Sequence, residues 1–187
     1  MSHIRLERPD DGAAIELLVD RAFGPDRKAK TVYKLRAGQP PVVDLCFVAI
    51  DDEGKLVASI RYWPVIAGGQ TALLLGPLSV EPAQQGQGFG KALMRHSLAI
   101  AKKLGHGAVI LVGDPDYYQP FGFRRELALG LRLPGWVDER RFLGLELVHG
   151  ALKGALGEVS ALRGAKRQPG RPAAEPTRPL RAKAATA

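Results

Sequence analysis

The chain has 187 residues, 45% of them apolar and 25% charged, with a formal net charge of +8. That is enough for one domain with a buried core, and no apolar run approaches the roughly 20 residues of a membrane-crossing helix. One cysteine, Cys46, excludes an internal disulfide and a cysteine-based zinc cluster. Within the apolar run "LCFVAI" it reads as a core thiol. The N-terminal "MSHIRLERPDDG" has charges where a signal peptide needs an apolar stretch. Together these features predict a reduced, cytoplasmic setting and no membrane partner. His3, His96, His106 and His149 share no spacing, so no metal site is predicted.

The charge is unevenly placed. From Arg163 to the end, seven basic residues face one acid, Glu175, giving +6, whereas the first 162 residues hold 20 basic and 18 acidic groups, giving +2. The tail is rich in proline and alanine and has one large aliphatic, Leu180. It cannot bury enough apolar area to offset the entropy of ordering, so residues 163–187 are expected to be disordered and residues 1–162 to form the domain. A tail of this kind reads as a solvated extension, with nucleic-acid binding through it as the alternative.

In chain order, "HIRLERP" predicts a strand. Asp10 and Asp11 offer cap chemistry for an amphipathic helix to about Phe23, with Ile15, Leu17, Leu18 and Phe23 toward the core. A shorter helix is expected over Arg27 to Arg36. "VDLCFVAI" and "KLVASIRYWPVI" predict a strand pair across the turn "DDEG". "TALLLGPLSV" is the next strand, with a bulge or an end at Gly76-Pro77, because Pro77 has no N–H to give a ladder. A long helix follows from about Gly88 to Leu104, with Gly105 where a left-handed cap belongs. "GAVILVG" has the continuous apolar character of a strand buried on both faces. "DPDYYQPFGF" predicts a short helix or turn, "ELALGLRLP" and "RFLGLELVHG" complete the sheet, and "ALKGALGEVSAL" ends the domain as a helical or fraying segment. The order is that of a mixed sheet with helices on its faces, an α/β or α+β fold.

Between the strand ending at Val80 and the long helix stand Gly86, Gly88 and Gly90. Glycine costs roughly 0.5–1 kcal/mol in regular structure, so three at alternate positions mark a place where the backbone meets something. Bare amides at a helix start, with the helix dipole behind them, suit a phosphate. A dinucleotide-binding G-x-G-x-x-G fails, because its third glycine falls on Lys91. A Walker A loop fails at Gln85 and Ala92.

Gln85-Gly86-Gln87-Gly88-Phe89-Gly90 instead resembles the Q/R-x-x-G-x-G/A signature of the GCN5-related N-acetyltransferases, the GNAT superfamily. "LSVEP" resembles the end of that family's fourth strand, and "YYQPFGF" its Y-x-x-x-G-F ending. With the element order, the resemblance covers about residues 3 to 150. It implies the GNAT fold, a mixed, mostly antiparallel sheet of six to seven strands flanked by about four helices, with the fourth and fifth strands splayed. It also implies an N-acetyltransferase that moves an acetyl group from acetyl-CoA directly to a primary amine on a small molecule or a protein, as a monomer or homodimer.

Carried over by motif, the pyrophosphate of acetyl-CoA falls on Gln85, Gly86, Gln87, Gly88, Phe89, Gly90 and Lys91. Its pantetheine arm falls on the main chain at Leu78 and Val80. Tyr118, four residues before Gly122-Phe123, matches the family's frequent general acid, with Tyr117 the lesser candidate. Glu81 is the first candidate base, beside Asp114 and Asp116. The segment "GDPDYY" departs from the family's longer, asparagine-containing helix. The acceptor would be chosen by "FGPDRKAKTVYKLRAG" and "LPGWVDERRF", where Trp136 can wall a pocket. The same residues also admit an acyl-CoA-sensing module of the same fold without turnover.

Overall fold

A computed structural model describes residues 3–162; the expected tail, residues 163–187, lies outside them. The strands are β1 (His3–Leu6), β2 (Phe47–Ile50), β3 (Leu56–Ala67), β4 (Gln70–Val80), β5 (Ala108–Val112), β6 (Leu131–Arg132), β7 (Phe142–Glu146) and β8 (Gly157–Ala161). The helices are α1 (Gly12–Phe23), α2 (Thr31–Arg36), α3 (Phe89–Lys103) and α4 (Pro115–Tyr118), with short 3-10 turns between elements. The main path of the sheet runs β1-β2-β3-β4-β5-β7. Every pairing along it is antiparallel except β4 with β5.

The period-2 pattern of the strands divides the core into two faces. Phe47, Ala49, Tyr62, Leu73, Leu75, Val109 and Leu111 pack with Leu93, Met94 and Ala101 of α3. On the other face, Val48 meets Ile15 and Val19 of α1, while Val65, Leu74 and Ile110 lie with Leu35 of α2 and Phe142. Leu17 and Phe23, expected in the core, are instead exposed, and Val19 occupies the inner face of α1 beside Ile15 and Leu18. Asp11 does not cap α1 through its side chain. It accepts from Arg5 Nη1 at 2.6 Å and from the Arg8 amide at 2.6 Å. Cys46 is buried as expected, and burial pushes its thiol up to about 11.

At its C-terminus α3 closes as the sequence predicts. Gly105 stands at φ +83, and its amide donates to Lys102 O at 3.1 Å while His106 N donates to Ala101 O at 3.1 Å. These two bonds satisfy carbonyls that the helix leaves open.

The last segment corrects the sequence reading. Residues 157–161 form a strand, not a helical end, so the described sheet has eight strands. β8 pairs antiparallel with the second half of β3 through Val65–Ala161, Ile66–Ser160 and Ala67–Val159, along the edge whose first half is taken by β2. It also pairs parallel with β6. Within "ELALGLRLP", Glu126–Ala128 form a 3-10 turn and only Leu131–Arg132 is strand.

β3 and β4 are joined by the two-residue turn Gly68-Gly69, both at positive φ, as such hairpins require. A methyl group on Gly68 would strike the backbone at Ala155–Leu156, just before β8, whereas one on Gly69 would meet nothing within 4 Å. Gly69→Ala should therefore cost only its unfavourable conformation, about 1 kcal/mol. Gly68→Ala should cost a further 1–3 kcal/mol or so by forcing β8 away. Urea unfolding midpoints of the two variants test the difference.

Candidate active site

The site begins with a defect in β4. Tyr62 faces Leu75 and Ile60 faces Leu78, so Gly76 and Pro77 together oppose Arg61 in a bulge. The Trp63 indole fixes the bulge by donating to Gly76 O at 2.9 Å. On the other edge, the parallel ladder to β5 consists of Leu73–Val109 and Leu74–Ile110. Beyond it, from Leu75 to Val80, no strand pairs with that edge among the described residues. The expected splay is present, and Leu78 and Val80 lie on it, their side chains turned toward α3.

Past Val80, Glu81 and a 3-10 turn (Pro82–Gln84) lead into the glycine loop. Gly86 and Gly88 stand at φ +82 and +93, and a methyl group on either would meet nothing within 4 Å. Their glycine is demanded by backbone shape, a conformation that other residues rarely adopt. Gly90 has another cause. It is buried in the first turn of α3, and a methyl there would lie 2.6 Å from Tyr117 Oη and 3.3 Å from Val80 Cγ2. No side chain caps α3, so the first-turn amides remain for a ligand to take. Gln85, Gln87 and Lys91 are exposed and Phe89 is half-buried. Gln84 steadies the loop from beneath by donating to Asp51 Oδ2 at 3.2 Å.

Tyr117 and Tyr118 meet edge to face, with ring centres 4.9 Å apart. Tyr118 packs across Gly113 and against Phe123, 5.8 Å between centres. Burial raises its pKa above the usual tyrosine value, so it is a neutral phenol with a proton to give. The Tyr117 hydroxyl is the nearer of the two to the α3 start, a placement the sequence reading did not anticipate. Glu81 is engaged by Arg21 of α1, whose Nε and Nη2 reach its carboxylate at 3.2 and 2.8 Å. Asp114 accepts from the Asp116 amide at 3.1 Å as the cap of α4. Among the described residues no His, Cys, Asp and Glu cluster of three or more is placed to hold a metal.

Opposite the α3 side, a cleft of about 640 Å³ reaches Pro77 of the bulge and Val112 at the end of β5. Its walls come from the two segments expected to choose the acceptor. Tyr33 and Arg36 line it from the α2 side, and Trp136, Val137 and Arg141 line it from the β6–β7 connection. Trp136 is 87% exposed, at the rim. Sequence patterning missed Arg36, which reads as one more cation on a short polar helix; the dense basic run "RKAKTVYKLR" was the available signal.

A splayed parallel pair, an uncapped helix start behind positive-φ glycines and a tyrosine pair beside the gap define an acyltransferase site of the GNAT type. A family profile described as "Acetyltransferase (GNAT) domain" matches residues 43–125. The chain is 36% identical over 162 residues to the uncharacterized N-acetyltransferase YhbS of Escherichia coli (strain K12), covering 83% of this chain and 93% of that one. The chain belongs to the GNAT family of N-acetyltransferases. A crystal structure of E. coli YhbS in complex with CoA superposes with a TM-score of 0.72 at 33% identity, over 86% of this chain and 89% of that one. A GNAT family acetyltransferase from Brucella melitensis in complex with acetyl-CoA gives 0.60 at 32% identity, over 78% and 88%.

The Gly90–Tyr117 contact makes a sharp expectation. Gly90→Ala should destabilise by about 1–2 kcal/mol through crowding. In a Tyr117→Phe background, where the nearest atom is gone, the same change should be neutral or stabilising, since alanine outranks glycine in helices by about 1 kcal/mol. A double-mutant cycle in denaturant measures this coupling.

Proposed function

We propose that this protein is an acetyl-CoA-dependent N-acetyltransferase that passes the acetyl group directly to a primary amine. The observation that carries the reading is the continuity of the open β4 edge, from Leu75 to Val80, with the uncapped start of α3. An extended amide-bearing arm can pair along the first, and a diphosphate can take the amides of the second. The CoA and acetyl-CoA complexes of the two relatives support this assignment of the groove.

Bound acetyl-CoA supplies the thioester and a thiol leaving group. The residues present then do the rest. Gln85 to Lys91 hold the diphosphate end, and the main chain at Leu78 and Val80 holds the arm. Fixing the thioester beside an amine in the cleft provides much of the acceleration, by removing the entropy cost of their encounter. As the amine nitrogen bonds to the carbonyl carbon and the carbon–sulfur bond breaks, the thiolate needs a proton. Tyr118, half-buried and protonated, is the proposed donor. Glu81 is the proposed acceptor for the amine proton, which requires its pair with Arg21 to open.

Two measurements test the reading. Gly88→Val puts a branched side chain where φ is +93, so acetyl-CoA affinity by calorimetry should fall at least tenfold or so while the helical circular dichroism persists. Unchanged affinity would argue against the cradle. Tyr118→Phe should lower kcat by about 10²-fold with the acetyl-CoA KM nearly unchanged. An undiminished kcat would remove Tyr118 from the role.

A further inference from the structure

Three arginines lie close together on the α1–α2 face of the sheet, near the cleft, and they are treated differently. Arg27 is buried and fully answered: its Nε donates to Asp20, its Nη2 to Glu16, and its Nη1 to Tyr33 Oη at 2.9 Å. Arg61 is held by Glu7 through two bonds of 2.7 Å. Arg36 has no carboxylate partner among the described residues. It is only 9% exposed, and its Nε is buried without a hydrogen-bond partner. The Tyr33 ring lies against its guanidinium, 4.6 Å from the central carbon. Burial, opposed by the neighbouring Tyr33 and helped a little by Arg27 and Arg61, pushes it down to about 10, so it remains a cation at neutral pH.

A buried charge without a counter-ion is costly, and proteins ordinarily pair it or exclude it. Arg36 lines the cleft, and a methyl on Gly76 would sit 3.0 Å from its Nη2. The guanidinium is thus pressed against the bulge that immediately precedes Leu78. Lys30 and Arg141 also line the cleft, with Asp138 as its one carboxylate among the described residues, and Asp138 is engaged by Arg140 at 3.0 Å. Phe23, Trp136 and Val137 supply apolar wall. The volume suits a small molecule.

Resting on the transferase reading above, we infer that the acceptor is a small amine bearing its own anionic group, a carboxylate or a phosphate. That group docks on Arg36, and the amine lies toward the β4–β5 gap. A planar guanidinium pairs with either anion in the same forked way. Because Arg36 abuts the bulge next to the acyl-transfer point, amine and anion must be close together in the acceptor, as in an amino acid or a short aminoalkyl phosphate.

The test is CoA thiol release by the full chain with phenylalanine, phenylalaninamide, phosphoethanolamine and spermidine. Either phenylalanine or phosphoethanolamine should exceed the amide and the polyamine in kcat/KM by about 10- to 100-fold, and which of them leads identifies the anion. Arg36→Met should erase that preference without changing acetyl-CoA affinity. It should also melt no lower than the parent, since it removes an unanswered buried charge; a merely structural arginine would lower the melting temperature. The paired change Lys30→Gln and Arg141→Gln, at exposed positions of the mouth, should weaken the preference several-fold with the core untouched. Preference for the amide or spermidine, or a preference that survives Arg36→Met, overturns this inference alone. Failure to bind acetyl-CoA, or binding without release for any acceptor, overturns the transferase reading and this inference with it.

Discussion

The site depends on the interruption of β4 at Gly76-Pro77. Pro77 has no N–H to donate, and the bulge places two residues against Arg61 where a regular ladder would place one. Below the bulge, β4 continues as an ordinary neighbour of β5 as far as Leu74–Ile110. Above it, the strand keeps β3 on one side and leaves the other side open. A free edge is normally an invitation to aggregate. Here it is flanked by the glycine loop and the α4 tyrosines, and a ligand with amides of its own can complete the ladder. Gly76 serves a second end: the space its missing side chain leaves is filled by Arg36. One irregularity therefore shapes both sides of the sheet, the open β4 edge toward α3 and the cleft toward α2.

What the sequence disclosed was what is encoded locally. Gly105 announces a left-handed cap, and the structure has positive φ there; Gly86 and Gly88 mark the loop as special, and the structure adds positive φ at both. The apolar period of "FGKALMRHSLAIAKK" marks α3, whose inner face holds Leu93, Met94 and Ala101. The Gly76-Pro77 irregularity was legible because proline chemistry allows few alternatives. What stayed hidden was non-local. β8 is a five-residue strand in which exposed Glu158 and Ser160 flank buried Val159, an alternation too short to stand out in the sequence. It is a strand because the second half of β3 has a vacant edge there. Leu17 and Leu18 look alike in sequence, and only the angle at which α1 meets Val48 decides which of them is buried.

The site residues divide the same way. The place of the glycine loop, between the end of β4 and the start of α3, could be read in order, because Gly86 and Gly88 answer backbone demands. The chemistry of a side chain depends on partners far away in the chain. Glu81 reads as an available carboxylate, yet its partner Arg21 stands sixty residues earlier. Tyr117 reads as the idle neighbour of Tyr118, yet its hydroxyl reaches the first turn of α3. Arg36 reads as a surface cation, and only the closure of β4 and the β6–β7 connection around it makes it buried.

The absence of a free carboxylate at the cleft among the described residues becomes intelligible when the amine itself is considered. An alkylammonium must lose its proton before its nitrogen can attack, and its tendency to do so depends on the charges around it. Cations within a few ångströms disfavour a further positive charge and lower the pKa of a bound amine. An anion on the acceptor would answer Arg36, but Lys30 and Arg141 would remain, and Asp138 is already committed to Arg140. On the docking inferred above, the positive field that holds the acceptor's anion would also favour the reactive, neutral form of its amine.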